Sequence, residues 1–179
     1  MWIIILVILV LLFSIFIIAN IIYNKFQDYI IRINEVEGKI DESLRNKYDD
    51  IMKLNNIIKE KIKTEKELVD DLSNLKNEDK TSFEIHRALI DSFNKIDFVK
   101  KQYKELKNSK EVEELYNDIS DIDESLSAYI KYYNDNISLY NKFIRKFPYN
   151  IIGIILKYRE KTFFDGKDLN DEITNDFKL

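Results

Sequence analysis

The sequence predicts an all-α protein, an N-terminal transmembrane helix followed by a long antiparallel bundle of three or four helices. Three observations predict it. From Trp2 to Ile22 runs a stretch of 21 residues without a charge. Turn formers are nearly absent, with three glycines and one proline in 179 residues, whereas sheets and α/β folds need them at many connections. Through the rest of the chain, apolar residues recur three, four or seven positions apart, the period of one helix face. The chain therefore reads as an anchor (1–22), a helical bundle (23–164) and a flexible acidic tail (165–179).

The anchor comes first. About twenty apolar residues at 1.5 Å rise cross a hydrocarbon core of about 30 Å. Only Ser14 and Asn20 interrupt the apolar run. A cleaved signal peptide is the rival reading, and three features oppose it. The apolar stretch is too long, no Lys or Arg precedes it, and Ile17-Ile18-Ala19-Asn20-Ile21-Ile22 offers no small-x-small site. Lys25, Arg32 and Lys39 follow the span, so the positive-inside rule places the C-terminal domain in the cytoplasm.

Beyond the anchor, Ile30, Ile33, Ile40, Leu44, Tyr48, Ile51, Leu54, Ile58, Ile62, Val69 and Leu72 form a helical stripe. One long helix is expected, continuous with the anchor or bent at Gly38, or broken near Asn55-Asn56 into two. Residues 74–80 are polar and read as its closing turn. Thr81-Ser82-Phe83-Glu84 then fits a capping box, opening a second helix with the stripe Ile85, Leu89, Phe93, Ile96, Val99, Tyr103 and Leu106. Asn108 and Ser109 break it, and Glu111, Glu113 and Glu114 suit the positive end of a third helix. There Val112, Ile119, Leu126, Tyr133, Tyr140 and Phe147 recur every seven residues, the mark of left-handed helix packing. Leu115, Ile122, Tyr129 and Ile137 fill a second seam. Pro148 ends the helix, because the residue before a proline avoids the α region. Tyr149 to Leu156 is too short to span a bilayer. A short helix covering the end of the bundle is expected there, contact with the bilayer surface being the other reading.

Chemistry is sparse. The absence of cysteine excludes disulfides and thiolate chemistry. Net charge is −4 with both signs intermixed, and no basic stripe suits nucleic acid. His86 is the lone histidine and reads as a surface residue. Asp118, Asp121, Asp123 and Glu124 read as a solvated face, since a di-metal bundle wants Glu-x-x-His on two helices. Asp165-Gly166-Lys167-Asp168 lacks the calcium-loop pattern and reads as a turn. Asn136-Ile137-Ser138 matches a glycosylation triplet but falls inside a helix. Tyr133, Asn134, Tyr140 and Asn141 form a ladder on one face. It is either a recognition face for a partner helix or peptide, or a core seam with the asparagines hydrogen-bonding across helices.

The doubled Tyr133-Asn134 and Tyr140-Asn141, with Phe147-Pro148 seven residues later, carry a resemblance. So do Tyr23-Asn24 directly after the anchor, Ile40-Asp41 with Leu44-Arg45, Asp49-Asp50-Ile51, and Phe163-Phe164-Asp165. In this layout the chain resembles the LemA family of bacterial membrane-anchored helical proteins. It departs in having Met52 where the family has proline, a short second helix, and Lys157-Tyr158 where a glycine is usual. The resemblance implies an anchored antiparallel bundle. It transfers no catalytic residue and no cofactor, and marks Tyr23, Asn24, Asp41, Asp49, Tyr133, Asn134, Tyr140, Asn141, Phe147 and Pro148 as motif or interaction candidates.

The function expected from these features is a non-enzymatic scaffold or adaptor. It is held in the cell membrane through residues 2–22 and presents a helical surface to a protein partner or to a second copy of itself. Relay of a signal through the anchor helix is the alternative. An enzyme would have to rest on the carboxylates at Asp118 and Asp121.

Overall fold

The structure, a computed structural model, describes residues 1–62 and 80–167. All regular elements among them are α-helices: α1 (Trp2–Ile62), α2 (Ser82–Gln102), α3 (Lys104–Lys107), α4 (Lys110–Arg145) and α5 (Tyr149–Ile155). The stripe positions Val69 and Leu72, most of the expected turn at 74–80, and the tail from residue 168 lie outside the described residues. The chain divides into two compact units. The first comprises Met1–Glu35 and Tyr133–Leu179, the second Val36–Tyr132. Helices α1 and α4 each contribute residues to both.

α1 is unbroken, so neither Gly38 nor the Asn55-Asn56 pair interrupts it. A Cβ added at Gly38 would meet nothing within 4 Å. The residue thus lies on an open face, where its intrinsic helix penalty of about 1 kcal/mol is outweighed by the buried stripe on either side. Of the Asn pair, Asn55 is buried and Asn56 is exposed, which fits a helix passing through with one amide on each face. The N-terminal part of α1 is long and apolar enough to cross a membrane, with a mean hydropathy of 3.4 and none of that stretch buried.

In the second unit, the buried positions of α1 are Val36, Ile40, Leu44, Lys47, Ile51, Leu54, Asn55 and Ile58. Tyr48, read as part of the stripe, is only half-buried, and Lys47 takes the core position instead. Lys39 lies over the ring of Tyr129 while Lys47 bonds Asp123, so α1 and α4 run antiparallel here. Ser82 donates to Asp41 at 2.8 Å, and His86 feels Lys47, so α2 runs alongside α1 in the same direction. Phe93 meets Tyr116, their centroids 5.0 Å apart, while His86 feels Asp123, so α2 runs antiparallel to α4.

The capping box forms in full. Thr81 Oγ1 accepts from the Glu84 N–H, and Glu84 accepts from the Thr81 N–H at 2.9 Å. α2 ends one turn earlier than its stripe suggests, because Tyr103 turns extended (φ −109°, ψ 117°) and is exposed. Leu106 is nonetheless fully buried, carried on the single turn α3. Along α4 the seven-residue seam holds at Val112, Ile119, Leu126 and Tyr140, with Tyr133 half-buried. It fails at Phe147, which is 78% exposed. α4 ends at Arg145, so Phe147 has left the helix whose period would have turned it inward.

Candidate functional site

The tyrosine–asparagine ladder of α4 belongs to the first unit. Its apolar frame is a cluster of Ile22, Phe26, Ile33, Ile137, Tyr140 and Phe143, with Tyr29, Tyr133, Ile152 and Tyr158 packed against it. Phe26 is fully buried and meets Phe143, Tyr158 and Tyr140 with ring centroids 4.8, 5.0 and 6.0 Å away. Tyr149 stacks on Phe143 at 4.1 Å. Burial, with Tyr158 adding to it, raises the pKa of the Tyr140 phenol, so this hydroxyl stays protonated.

Among the described residues, the asparagines bond to backbone outside the helices rather than to another helix. Asn141, fully buried, holds the backbone of Lys161 at both ends. Its Nδ2 donates to the Lys161 carbonyl at 2.7 Å, and its Oδ1 accepts from the Lys161 N–H at 2.9 Å. Asn134 Oδ1 accepts from the Phe164 N–H at 2.9 Å. The segment after α5 is thus a strap laid along α4 in the opposite direction. The spacing explains the doubled motif. Seven residues of helix rise about 10.5 Å, and three residues of extended chain span about 10 Å. Asparagines one heptad apart therefore meet backbone groups three residues apart, 161 and 164.

Two further side-chain pairs fasten the strap. Gln27 Nε2 donates to the Tyr158 hydroxyl at 2.7 Å. Arg145 grips Glu160 through two nitrogens at 2.7 and 2.6 Å, the bidentate geometry that guanidinium and carboxylate favour. The strap closes in a turn where Gly166 takes φ +82° and Asp165 accepts from the Lys167 N–H at 3.1 Å. That geometry agrees with the turn expected of Asp165-Gly166.

The other motif residues divide by unit. Tyr23 and Asn24 are exposed, as are Phe147 and Pro148, the last forming the N-cap of α5. In the second unit, Asp41 and Asp49 line an open hollow of about 470 Å³ with Arg45, Tyr48, Lys80 and Ile85. Asp118, Asp121 and Glu124 are exposed.

What the sequence reading missed is a charge inside the second unit. Lys47 is 1% exposed and its ammonium bonds Asp123. His86, expected at the surface, is half-buried beside them. Burial foremost, and then the Lys47 charge, lower its pKa, with Asp123 opposing. Its imidazole is therefore neutral at pH 7. A signal was present: Ile33, Ile40, Lys47 and Leu54 recur every seven residues. A period search restricted to apolar residues passes over the lysine.

A search of curated proteins finds no match to the chain. A family model described as LemA family does match, over residues 37–177. The matched stretch starts after Tyr23-Asn24 and takes in the heptad-spaced asparagines and the backbone they hold. On that match, which covers most of the sequence, the chain belongs to the LemA family.

Proposed function

We propose that the protein is a membrane-anchored, non-enzymatic scaffold whose helical domain presents a surface to a protein partner, either another protein or a second copy of itself. One observation carries the reading. The apolar stretch of α1, with none of its residues buried, continues without a break into the helical body. A tether of this kind raises the effective concentration of weak contacts made by the body. In this reading the chain crosses the cell membrane once through residues 2–22. The domain faces the cytoplasm, on the strength of Lys25, Arg32 and Lys39 after the span. Contact positions are available on exposed apolar side chains: Phe98 at 66%, Tyr132 at 47% and Leu139 at 49%. No catalytic role is assigned to any residue.

The test is photo-crosslinking in living cells, with the reactive residue at Phe98, Tyr132 and Leu139 in turn and adducts identified by mass spectrometry. A single recurrent heterologous protein is the expected product. Adducts with lipid alone would overturn the scaffold reading, and adducts with the same chain alone would replace the adaptor by a self-assembling one.

A second reading is supported by the continuity of α1 through Asn20 to Ile33. A rigid helix there would let the body and the anchor exchange a signal. Hydrogen exchange in bilayers tests it: slow exchange across residues 20–33 supports a relay, and fast exchange there removes it.

A further inference from the structure

Helix α5 has two unlike faces. One points inward. Tyr149 stacks on Phe143, Ile152 packs on the apolar cluster, and Gly153 is buried. A Cβ at Gly153 would stand 3.0 Å from Ile144 Cγ1 and 3.8 Å from the Phe26 ring. The missing side chain is what lets α5 approach Ile144 on α4, with the Phe26 ring of α1 at ordinary contact distance. Ile22, the last residue of the uncharged run, belongs to the same cluster. Ile22 to Phe26 is about 6 Å of helix rise, less than the roughly 5–8 Å of one interfacial layer plus a side chain's reach. α5 is therefore fixed beside α1 where the apolar stretch ends.

The other face is apolar and uncovered. Phe147 is 78% exposed, Ile151 48%, Ile154 76%, Ile155 67% and Leu156 38%. Five large apolar side chains within ten residues are not what a water-facing surface carries. Basic residues flank them: Lys142, Arg145 and Lys146 before, Lys157, Arg159 and Lys161 after, against one acid, Glu160. Glu160 is engaged by Arg145. In a chain of net charge −4, this is a local reversal of sign. An apolar face rimmed by Lys and Arg is the composition of a helix that lies in the headgroup–acyl boundary of an anionic leaflet.

We propose that α5, with Phe147 and Leu156 at its ends, is a second membrane contact. It lies flat in the interface of the leaflet from which α1 emerges, with Phe147, Ile151, Ile154 and Ile155 in the acyl boundary and the flanking lysines and arginines at anionic headgroups. The occupant of the exposed face is lipid. The inference rests on the reading of residues 2–22 as a membrane span, and it adds that the body is held against the bilayer at two points rather than swinging on one.

The experiment uses the full chain in vesicles of phosphatidylcholine with phosphatidylglycerol. The chain has no cysteine, so Ile154→Cys, Ile8→Cys and Asp135→Cys each give one site for an environment-sensitive fluorophore. The Ile154→Cys probe should be blue-shifted and lose more intensity to a lipid spin label near the headgroups than to one deep in the acyl chains. The Ile8→Cys probe should show the reverse order, and the Asp135→Cys probe no quenching by either. Removing phosphatidylglycerol should reduce quenching at Ile154→Cys. An Ile154→Cys probe that behaves like the Asp135→Cys probe, while Ile8→Cys is quenched, overturns the proposal and leaves the span standing. A blue-shifted but unquenched Ile154→Cys probe also overturns it, since protein, such as a second copy, then covers the face. Loss of quenching at Ile8→Cys brings down the span and this inference together.

Discussion

The two units each bury a partnered polar group, but of different kinds. In the first it is a neutral amide. Asn141 and Asn134 satisfy backbone N–H and C=O groups of the strap, so each buried polar atom in the pair finds a partner and no charge is desolvated. In the second, a lysine sits in the core seam of α1, bonded to an aspartate that is 40% exposed. Burying an ammonium is expensive even when paired, and a lysine at a seam position is retained at a cost in stability because it fixes register. The difference teaches where each unit is sensitive. Geometry governs the amide ladder of the first, and proton and salt concentration bear on the buried charge of the second.

The largest effect tests whether the units are distinct. Phe26→Ala removes a fully buried ring that three other rings contact, and should cost about 4 kcal/mol. In hydrogen exchange on the full chain in micelles, protection should fall over residues 22–33 and 137–164 more than over 40–58 and 112–126. Equal losses in both would dissolve the comparison.

Next comes the ladder. Asn141→Ala leaves both backbone groups of Lys161 without their partner and should cost about 2 kcal/mol. Asn134→Ala breaks one bond and should cost about 1 kcal/mol. Limited proteolysis should then cut between 158 and 164 in Asn141→Ala before it does in Asn134→Ala. Reversed order would mean that the strap hangs from its far end.

The charge pair of the second unit should respond asymmetrically. Asp123→Ala leaves the Lys47 ammonium buried without its carboxylate. Full burial of both partners would make this worth 3–5 kcal/mol, and the exposure of Asp123 brings it to about 2 kcal/mol. Lys47→Met removes the charge itself and keeps the volume, so urea unfolding should place it within about 1 kcal/mol of the parent. If Lys47→Met is the more damaging of the two, the lysine stabilises the fold outright and the contrast drawn above is wrong.

These same residues show what the sequence made legible. Helix positions were readable because spacing and caps are local. The heptads of α4 and the Thr81 capping box depend on residues within a turn or two of each other. The partner of Asn141 was not readable, because it is a backbone group twenty residues away and any residue type supplies one. The amide's need for a partner was visible, and a neighbouring helix was the default assignment. Lys47 was hidden for a different reason. Its seam position is plain in the seven-residue spacing, yet the carboxylate that makes burial tolerable lies 76 residues on. Phe147 misled because its spacing from Tyr140 is helical while the helix has already ended at Arg145.

A smaller effect checks the local end of this scale. Thr81→Ala removes the side-chain acceptor of the capping box and should cost about 1 kcal/mol. Protection should be lost over the first turn of α2, from Ser82 to Ile85. Loss that spreads along α4 as well would mean that the cap also serves the packing of α2 on its neighbours.

The smallest effect separates the units by pH. His86 has its pKa lowered from 6.5 by burial and by Lys47, so the folded chain binds its proton more weakly than the unfolded chain. Stability therefore rises with pH wherever the unfolded state is the better protonated. The contribution is fully present above pH 6.5 and is lost as pH falls below that value toward the lower folded pKa. Between pH 8 and 5, protection in α2 and in the 40–58 stretch of α1 should decline, and His86→Gln should flatten that decline. Protection over the strap, held by the two asparagines and the Arg145–Glu160 pair, should not follow the histidine. A decline that persists unchanged in His86→Gln would assign the pH response to the carboxylates and take the histidine out of the second unit's charge network.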